Sequence, residues 1–319
     1  MKRHQQILLG VLALQIILCG IAFWPRQAAS SGGVLVFPDL KSEDVVDFRL
    51  TDNQGITIHL SKTDSGWVIP EAGDYPVSSD KLTPVLDDLV ALATGDLVAR
   101  TAASHKQLQV ADDAFVRRLE FSTADGASHT LYLGSAPRYT ATHFRVDGQA
   151  ETYLTTDLAT WELVANQSSW IDTSYLAIDE ASVSKLTLEN ANGVFTFSKG
   201  ADGTWTLEGL RAGETASAGN IGAVVRNATT MSIQSILGKT DEPAFGLSAP
   251  LAAVTLELQD GSVKVLLVGA RNAADTTYTV KFSDSEYYAS AYEYLVKPMV
   301  ENAREDFIAP IGPTPTATS

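Results

Sequence analysis

Apolar and polar residues alternate on both sides of an Asn/Asp-Gly type turn at four places in the chain. The first runs Phe48-Arg49-Leu50, turns at Asp52-Asn53-Gln54-Gly55 and returns as Ile56-Thr57-Ile58-His59-Leu60. The second is Leu119-Glu120-Phe121, Asp125-Gly126, Leu131-Tyr132-Leu133. The third is Leu186-Thr187-Leu188, Asn192-Gly193, Val194 to Phe197, and the fourth is Leu256-Glu257-Leu258, Asp260-Gly261, Val263 to Leu267. A period of two with a glycine at the turn predicts a β-hairpin, because glycine accepts the positive φ that a tight turn requires.

The hairpins pair off over a longer distance. Asp64-Ser65-Gly66-Trp67 follows the first and Asp202-Gly203-Thr204-Trp205 the third, with the tryptophans 138 residues apart. The second and fourth end in Gly134 and Gly269, 135 residues apart. Leu82, Val85, Leu86, Leu89 and Val90, after a Ser79 cap, follow the spacing of an amphipathic helix, and Pro84 falls in its first turns. Ile221, Val224, Val225 and Ala228 answer them 139 residues later, and Met231 continues that face without a counterpart. Short strands are expected at 97–98, 144–146, 153–154, 236–237, 278–282 and 287–289. Each half is expected to close with a helix, through Leu158, Trp161 and Ala165 in the first and through Tyr288, Tyr292, Leu295 and Met299 in the second. Trp67 and Trp205 are expected to plug the sheet–helix interface of each half. The pattern predicts an α+β fold: two tandem repeats of antiparallel hairpins and sheet, 34–175 and 176–308, each covered by helices.

Before the repeats, residues 7–24 form an apolar run broken only by Gln15, Gly10 and Gly20. As a helix it would reach roughly 27 Å, close to the ~30 Å of a hydrocarbon core. It predicts a transmembrane anchor over 1–26. Lys2 and Arg3 place its N-terminus in the cytoplasm and the body outside. A cleaved signal peptide ending near Ala28-Ala29-Ser30, or a lipoprotein using Cys19, are the rival readings. A small polar linker, 27–33, follows. The Pro/Thr-rich end, 309–319, has no apolar period and is expected to be disordered.

Charge narrows the partners. Of 319 residues, 45% are hydrophobic, ample for a core. The formal net charge is −15, and setting aside Lys2, Arg3 and Arg26 leaves the rest at −18. Such a surface repels phosphate backbones, so nucleic acid is excluded as a partner. With Cys19 as the only cysteine, intrachain disulfides and multi-cysteine zinc sites are excluded too.

No residue is assigned a catalytic, cofactor-binding or metal-ligating role. His59, His105, His129 and His143 are scattered, none with a metal-ligand spacing. Asp52, Asp64, Asp125, Asp147, Asp202 and Asp260 sit beside turn glycines or within three residues of them, where turn chemistry already calls for aspartate; a calcium loop needs more oxygens on alternate positions. Asp87 and Asp88 are adjacent on a helix and point in different directions. No nucleophile elbow, P-loop or dinucleotide fingerprint occurs. Tyr287, Tyr288, Tyr292 and Tyr294 form an aromatic cluster that could bind sugars or proteins, although Tyr288 and Tyr292 also fit a buried stripe.

Taken in order, these elements resemble a bacterial family of unknown function, DUF4340. The resemblance is carried by the N-terminal apolar segment, Val45-x-x-Phe48-x-Leu50, Gly55, Asp64-x-Gly66-Trp67, a proline-bearing loop and the helix at 79–93. It continues through Val183-x-x-Leu186-x-Leu188, Gly193, Asp202 to Trp205, and Phe245-Gly246-Leu247 before Pro250, spanning about 34–308. The first half departs from the last motif with Leu108-Gln109-Val110. The resemblance implies an envelope protein without catalytic residues, associated with an ABC-type transport system of the kind linked to gliding motility. The expected function is a non-enzymatic, single-pass membrane-anchored extracytoplasmic module that needs no cofactor and contacts ABC transporter subunits or other envelope proteins. A solute- or glycan-binding protein is the alternative, and a hydrolase a third reading.

Overall fold

All four predicted hairpins form. The computed structural model describes residues 33–310. Its first part holds β1 (Val45–Asp52), β2 (Thr57–Thr63), β3 (Gly66–Ile69), β4 (Tyr75–Pro76), α1 (Ser79–Ala91), β5 (Asp96–Ala99), α2 (His105–Leu108), β6 (Val110–Ala111), β7 (Ala114–Phe115), β8 (Arg117–Thr123), β9 (Ser128–Leu133), β10 (Thr142–Val146) and β11 (Thr152–Thr155). Then follow β12 (Ser174–Ala177), β13 (Val183–Asn190), β14 (Gly193–Lys199), β15 (Trp205–Leu207), α3 (Ala218–Thr229), β16 (Thr230–Gly238), β17 (Ala252–Leu258), β18 (Val263–Asn272), β19 (Thr277–Phe282), β20 (Tyr288–Tyr292) and α4 (Glu293–Glu301). Gly126 and Gly261 close the second and fourth hairpin turns at φ of 90° and 85°, the conformation for which glycine is required there.

The sheets are antiparallel, in the orders β4-β3-β2-β1-β8-β9-β10-β11-β5 and β12-β16-β20-β19-β18-β17-β13-β14-β15. Read backwards, the stretch from β15 to β16 follows the same path as the stretch from β3 to β5. Alternation sets which side chains go inward. Val45, Phe48 and Leu50 of β1 and Val183, Leu186 and Leu188 of β13 are all fully buried.

The expected α+β class is corrected to a mainly β fold. Strands take 42% of the described residues and helical turns 22%. The predicted helix at 158–165 does not form. Thr155 Oγ1 accepts from the Asp157 amide at 3.1 Å, and Arg117 Nε donates to the Leu163 carbonyl, so local side-chain bonds replace the helical ladder. Leu158 and Leu163 are buried without it, and Trp161 is 51% exposed. Half of the second closing helix is strand: Tyr288 pairs with Lys281 and Tyr292 with Thr277. A spacing of four residues is in phase with both the helical turn and the period-two strand, so Tyr288 and Tyr292 satisfied either reading. Among the described residues no helix is long and apolar enough to cross a membrane. The predicted anchor and nearly all of the linker and tail lie outside the described residues.

Two compact units share the chain. Within the described residues, the first comprises 33–44, 85–120 and 128–163, and the second comprises 45–84, 121–127 and 164–310. The first buries Leu89, Leu92, Leu131, Leu133 and Phe144. In the second, Trp170 is 1% exposed and meets Phe48 at 5.9 Å between ring centroids. Phe307 is packed there against Phe197 and Phe195 at 4.8 and 5.2 Å. Burying such rings contributes about 2–3 kcal/mol each before entropy is counted.

Candidate functional site

Within the second unit, Tyr75, Tyr175 and Tyr287 converge on an open cleft of about 620 Å³. Each comes from a different stretch of chain. Pro70 starts a helical turn, Pro70–Ala72, that Gly73 ends in the left-handed conformation at φ 69°. Asp74 stays left-handed at φ 61°, and this double turn delivers Tyr75. Tyr175 stands on β12. Tyr287 is carried by the connection between β19 and β20, which closes through Ser285 N to Phe282 O at 3.1 Å and Tyr287 N to Ser285 Oγ at 3.1 Å.

The Tyr175 hydroxyl fixes that connection. It donates to the Tyr287 carbonyl at 2.6 Å and accepts from the Phe282 amide at 3.1 Å. Lys281 reaches back over the same turn to the carbonyls of Phe282, at 3.0 Å, and Ser285. Burial of this lysine pulls its ammonium below the usual lysine value. Tyr75 and Tyr287 meet edge to face, 4.8 Å apart at 78°, the geometry that aromatic quadrupoles favour.

Every charged side chain that lines the cleft is a carboxylate: Asp172, Asp284 and Glu286. Two are held by lysines outside the lining. Lys264 bonds Asp284 at 2.5 Å and Lys239 bonds Glu286 at 2.9 Å, and those bonds lower both carboxyl groups below their ordinary range. The Lys239 ammonium also lies 4.8 Å from the centre of the Tyr287 ring. The Asp172 carboxylate accepts from the Ser174 amide at 2.9 Å. Burial raises the Tyr75 hydroxyl above the usual tyrosine value, and the nearby Asp172, Tyr287 and Tyr175 add to the effect.

Of the four predicted tyrosines only Tyr287 reaches the cleft. Tyr288 packs on Phe245 at 5.3 Å, and Tyr292 stacks with Tyr294 at 5.8 Å. Tyr75 and Tyr175 carry no periodic signal in the sequence; Tyr75 sits inside the loop between Pro70 and Pro76. Trp67 and Trp205 are half-buried rather than core plugs, and Trp205 Nε1 donates to Glu180 at 3.1 Å. The core tryptophan of this unit is Trp170.

The histidines are distributed as the sequence places them, with partners it did not reveal. His59 sits between two carboxylates, Asp47 at 2.6 Å from Nε2 and Glu71 at 2.8 Å from Nδ1. Cross-strand register places His59 opposite Arg49 and so on one face with Asp47. His105 Nε2 lies 2.9 Å from the Ala150 carbonyl. His143 Nδ1 lies 3.1 Å from Ser135 Oγ, whose hydroxyl donates to the Leu108 carbonyl at 3.2 Å. Ser135 has one hydrogen for these two partners, and the tautomer of His143 decides which of the two side chains donates to the other. Among the described residues no group of three or more His, Cys, Asp or Glu is placed to hold a metal ion.

The turn aspartates bond to turn amides. Asp52 accepts from Gln54 N and Ile56 N, both at 2.9 Å, and Asp202 and Asp260 accept from the amides two residues on. Asp87 takes the Ser42 hydroxyl at 2.6 Å. Asp88 is raised by burial and by the neighbouring Asp157 and Asp87.

Neither the curated proteins nor the solved structures contain a match to this chain. The family model described as "Domain of unknown function (DUF4340)" matches residues 67–250, from Trp67 on β3 to the proline before the fourth hairpin. The chain therefore belongs to the DUF4340 family.

Proposed function

We propose that this chain is a non-enzymatic binding module, tethered by its first 26 residues with its body outside the cytoplasm. It engages another envelope protein, of which the membrane subunits of an ABC-type transport system are the leading candidate. The observation that carries this reading is the cleft, where three tyrosines from separate segments meet under a carboxylate rim. Tyrosine supplies large contact area at low entropic loss and is enriched among the side chains that dominate protein interfaces. The test is a crosslinked pull-down of the full-length protein from native membranes, beside Tyr75→Ala and a form lacking residues 1–26. Truncating a dominant interface residue weakens binding by about 2 kcal/mol, roughly thirtyfold. Transporter subunits should be recovered with the tethered wild type and lost with both variants. Recovery of the protein alone, or capture indifferent to Tyr75, overturns the reading.

A glycan-binding reading is favoured by a different feature of the first unit. Tyr139 and Trp161 stack at 5.3 Å and 15° while remaining 74% and 51% exposed. A thermal-shift screen with envelope sugars tests it. A ligand at a hundredfold excess over its dissociation constant adds about 2.7 kcal/mol, and that gain should vanish in Trp161→Ala.

A further inference from the structure

We infer that the Tyr75–Tyr175–Tyr287 cleft receives a basic side chain, an arginine guanidinium, presented by the partner protein. The inference rests on the cleft being the partner-binding surface proposed above and names what that surface recognises.

The cleft is rich in acceptors. Asp284 and Glu286 already have lysine partners, but among the described residues no lysine or arginine pairs with Asp172. Among the described residues the backbone carbonyl of Asp172 receives only a distant hydroxyl, Tyr75 at 3.5 Å. Hydroxyl hydrogen bonds ordinarily close to about 2.7–2.8 Å, so this carbonyl remains open to a better donor. A guanidinium brings five N–H donors and no acceptor, and its planar fork suits a carboxylate beside a carbonyl.

The rings favour the same occupant. An ammonium, Lys239, rests 4.8 Å from the centre of the Tyr287 ring and takes one face of it, so a guanidinium would use the ring's other face. Tyr75 and Tyr287 meet edge to face at 78°. They do not form the flat paired platform on which a pyranose would stack. The volume of about 620 Å³ admits a long side chain with its flanking backbone. The acidic balance of the chain, 38 acidic against 23 basic residues, steers basic partners toward it.

The test uses the full-length protein in detergent, with Nα-acetyl-arginine methylamide as probe. Its citrulline counterpart, which keeps the shape and removes the charge, and N-acetylglucosamine are the comparisons. Binding is followed through the tyrosine ring resonances. The arginine probe should bind saturably and weaken with added salt. Its affinity should fall about tenfold or more in Asp172→Asn, because a charge-assisted bond becomes a neutral one. That variant keeps an oxygen for the Ser174 amide, so the local turn survives. Equal binding of the citrulline probe, indifference to Asp172→Asn, or sugar binding without arginine binding each overturns the inference.

The pull-down separates the two failures. If Tyr75→Ala loses the partner while Asp172→Asn keeps it and the arginine probe is silent, the binding module stands and its arginine preference falls. If the probe binds and neither substitution changes capture, the arginine site stands and the partner-binding reading falls.

Discussion

Two corners of the molecule meet the same steric demand with different residues. In the first unit a Cβ on Gly134 would stand 2.1 Å from the Leu108 carbonyl oxygen. In the second unit a Cβ on Gly269 would stand 2.1 Å from the Phe245 carbonyl oxygen. The facing turn is left-handed in both, at Gln109 with φ 56° and at Gly246 with φ 68°. The two residues are 137 apart in the sequence. Glycine takes that conformation freely, whereas a residue with a Cβ pays about 1 kcal/mol or more. The first corner offsets this with Arg145. It is buried on β10, donates Nε to the Val110 carbonyl at 2.7 Å, pairs with Asp112 and lies 4.4 Å from the Tyr132 ring centre. Strand register places Lys281 at the matching position: Arg145 faces Tyr132 as Lys281 faces Leu267. Lys281 instead holds the turn that presents Tyr287. With glycine relieving the second corner, the cation at that position is free to shape the cleft.

The shared steric demand is tested most severely at the two glycines. Gly134→Ala and Gly269→Ala each force a Cβ into a backbone oxygen that has no flexible end to move. Each should destabilise by about 3 kcal/mol or more, read as a lower midpoint in equilibrium urea denaturation. Tolerance of one but not the other would show that the corners are not under the same demand. Arg145→Met comes next, at about 2–4 kcal/mol, because it leaves the buried Val110 carbonyl without its donor. Lys281→Met should cost only about 1 kcal/mol, since its bonds are made at a half-buried turn. Equal losses from the two cations would remove the proposed division of labour.

What the sequence made legible follows from which signals are local. Hairpins are read within a dozen residues, so the Asp125-Gly126 and Asp260-Gly261 turns and their alternating flanks stood out. The buried faces of α1 and α3 were equally plain, because Leu82, Leu86 and Leu89, and Ile221, Val225 and Ala228, recur at helical spacing. The closing helices misled because Tyr288 and Tyr292 are in phase with both periods. Leu108-Gln109-Val110 reads as a departure from Phe245-Gly246-Leu247, although the backbone makes the same left-handed turn at both. The cleft was illegible for another reason. Tyr75, Tyr175 and Tyr287 are separated by about a hundred residues each and meet only through sheet order, and only Tyr287 lay in a cluster that composition could flag. Asp47 and Glu71 reach His59 through cross-strand register and a turn, neither visible as a spacing.

Gln109→Gly tests the strain directly. Relief of the left-handed residue is partly cancelled by the added freedom of the unfolded chain, leaving a gain of about 0.5–1 kcal/mol. Gly246→Gln, the reciprocal change, should lose at least as much, since a Cβ there would also stand 3.0 Å from Ala270. A neutral Gln109→Gly would mean that Arg145 and its partners, rather than the backbone, set the energy of the first corner.

The smallest expected effect is one of pH, and it separates the two halves of the sequence. Arg304 donates to both oxygens of Glu214, at 3.0 and 2.7 Å, and the Arg211 amide adds a bond at 2.8 Å. The Arg304 hydrogen bond first, and the Arg211 amide second, pull the Glu214 carboxyl down from 4.5 to about 2. The residues 137 positions earlier are Val77 and Gln167, so the first half has no equivalent clamp. Because the folded value lies below the unfolded one, the stabilisation is complete above pH 4.5. It is lost as pH falls from there toward 2. Glu214→Gln should therefore be slightly less stable than wild type at neutral pH, and the gap should close across that window. Other lowered carboxylates, Asp113 beside Lys106 among them, titrate in both proteins and cancel in the difference. The pair is half-buried and still reached by solvent, at 30% and 20% side-chain exposure, so raising the salt concentration should shrink the gap at neutral pH as well. Parallel acid titrations of the two proteins would mean that the clamp orders the 209–214 loop without stabilising the fold.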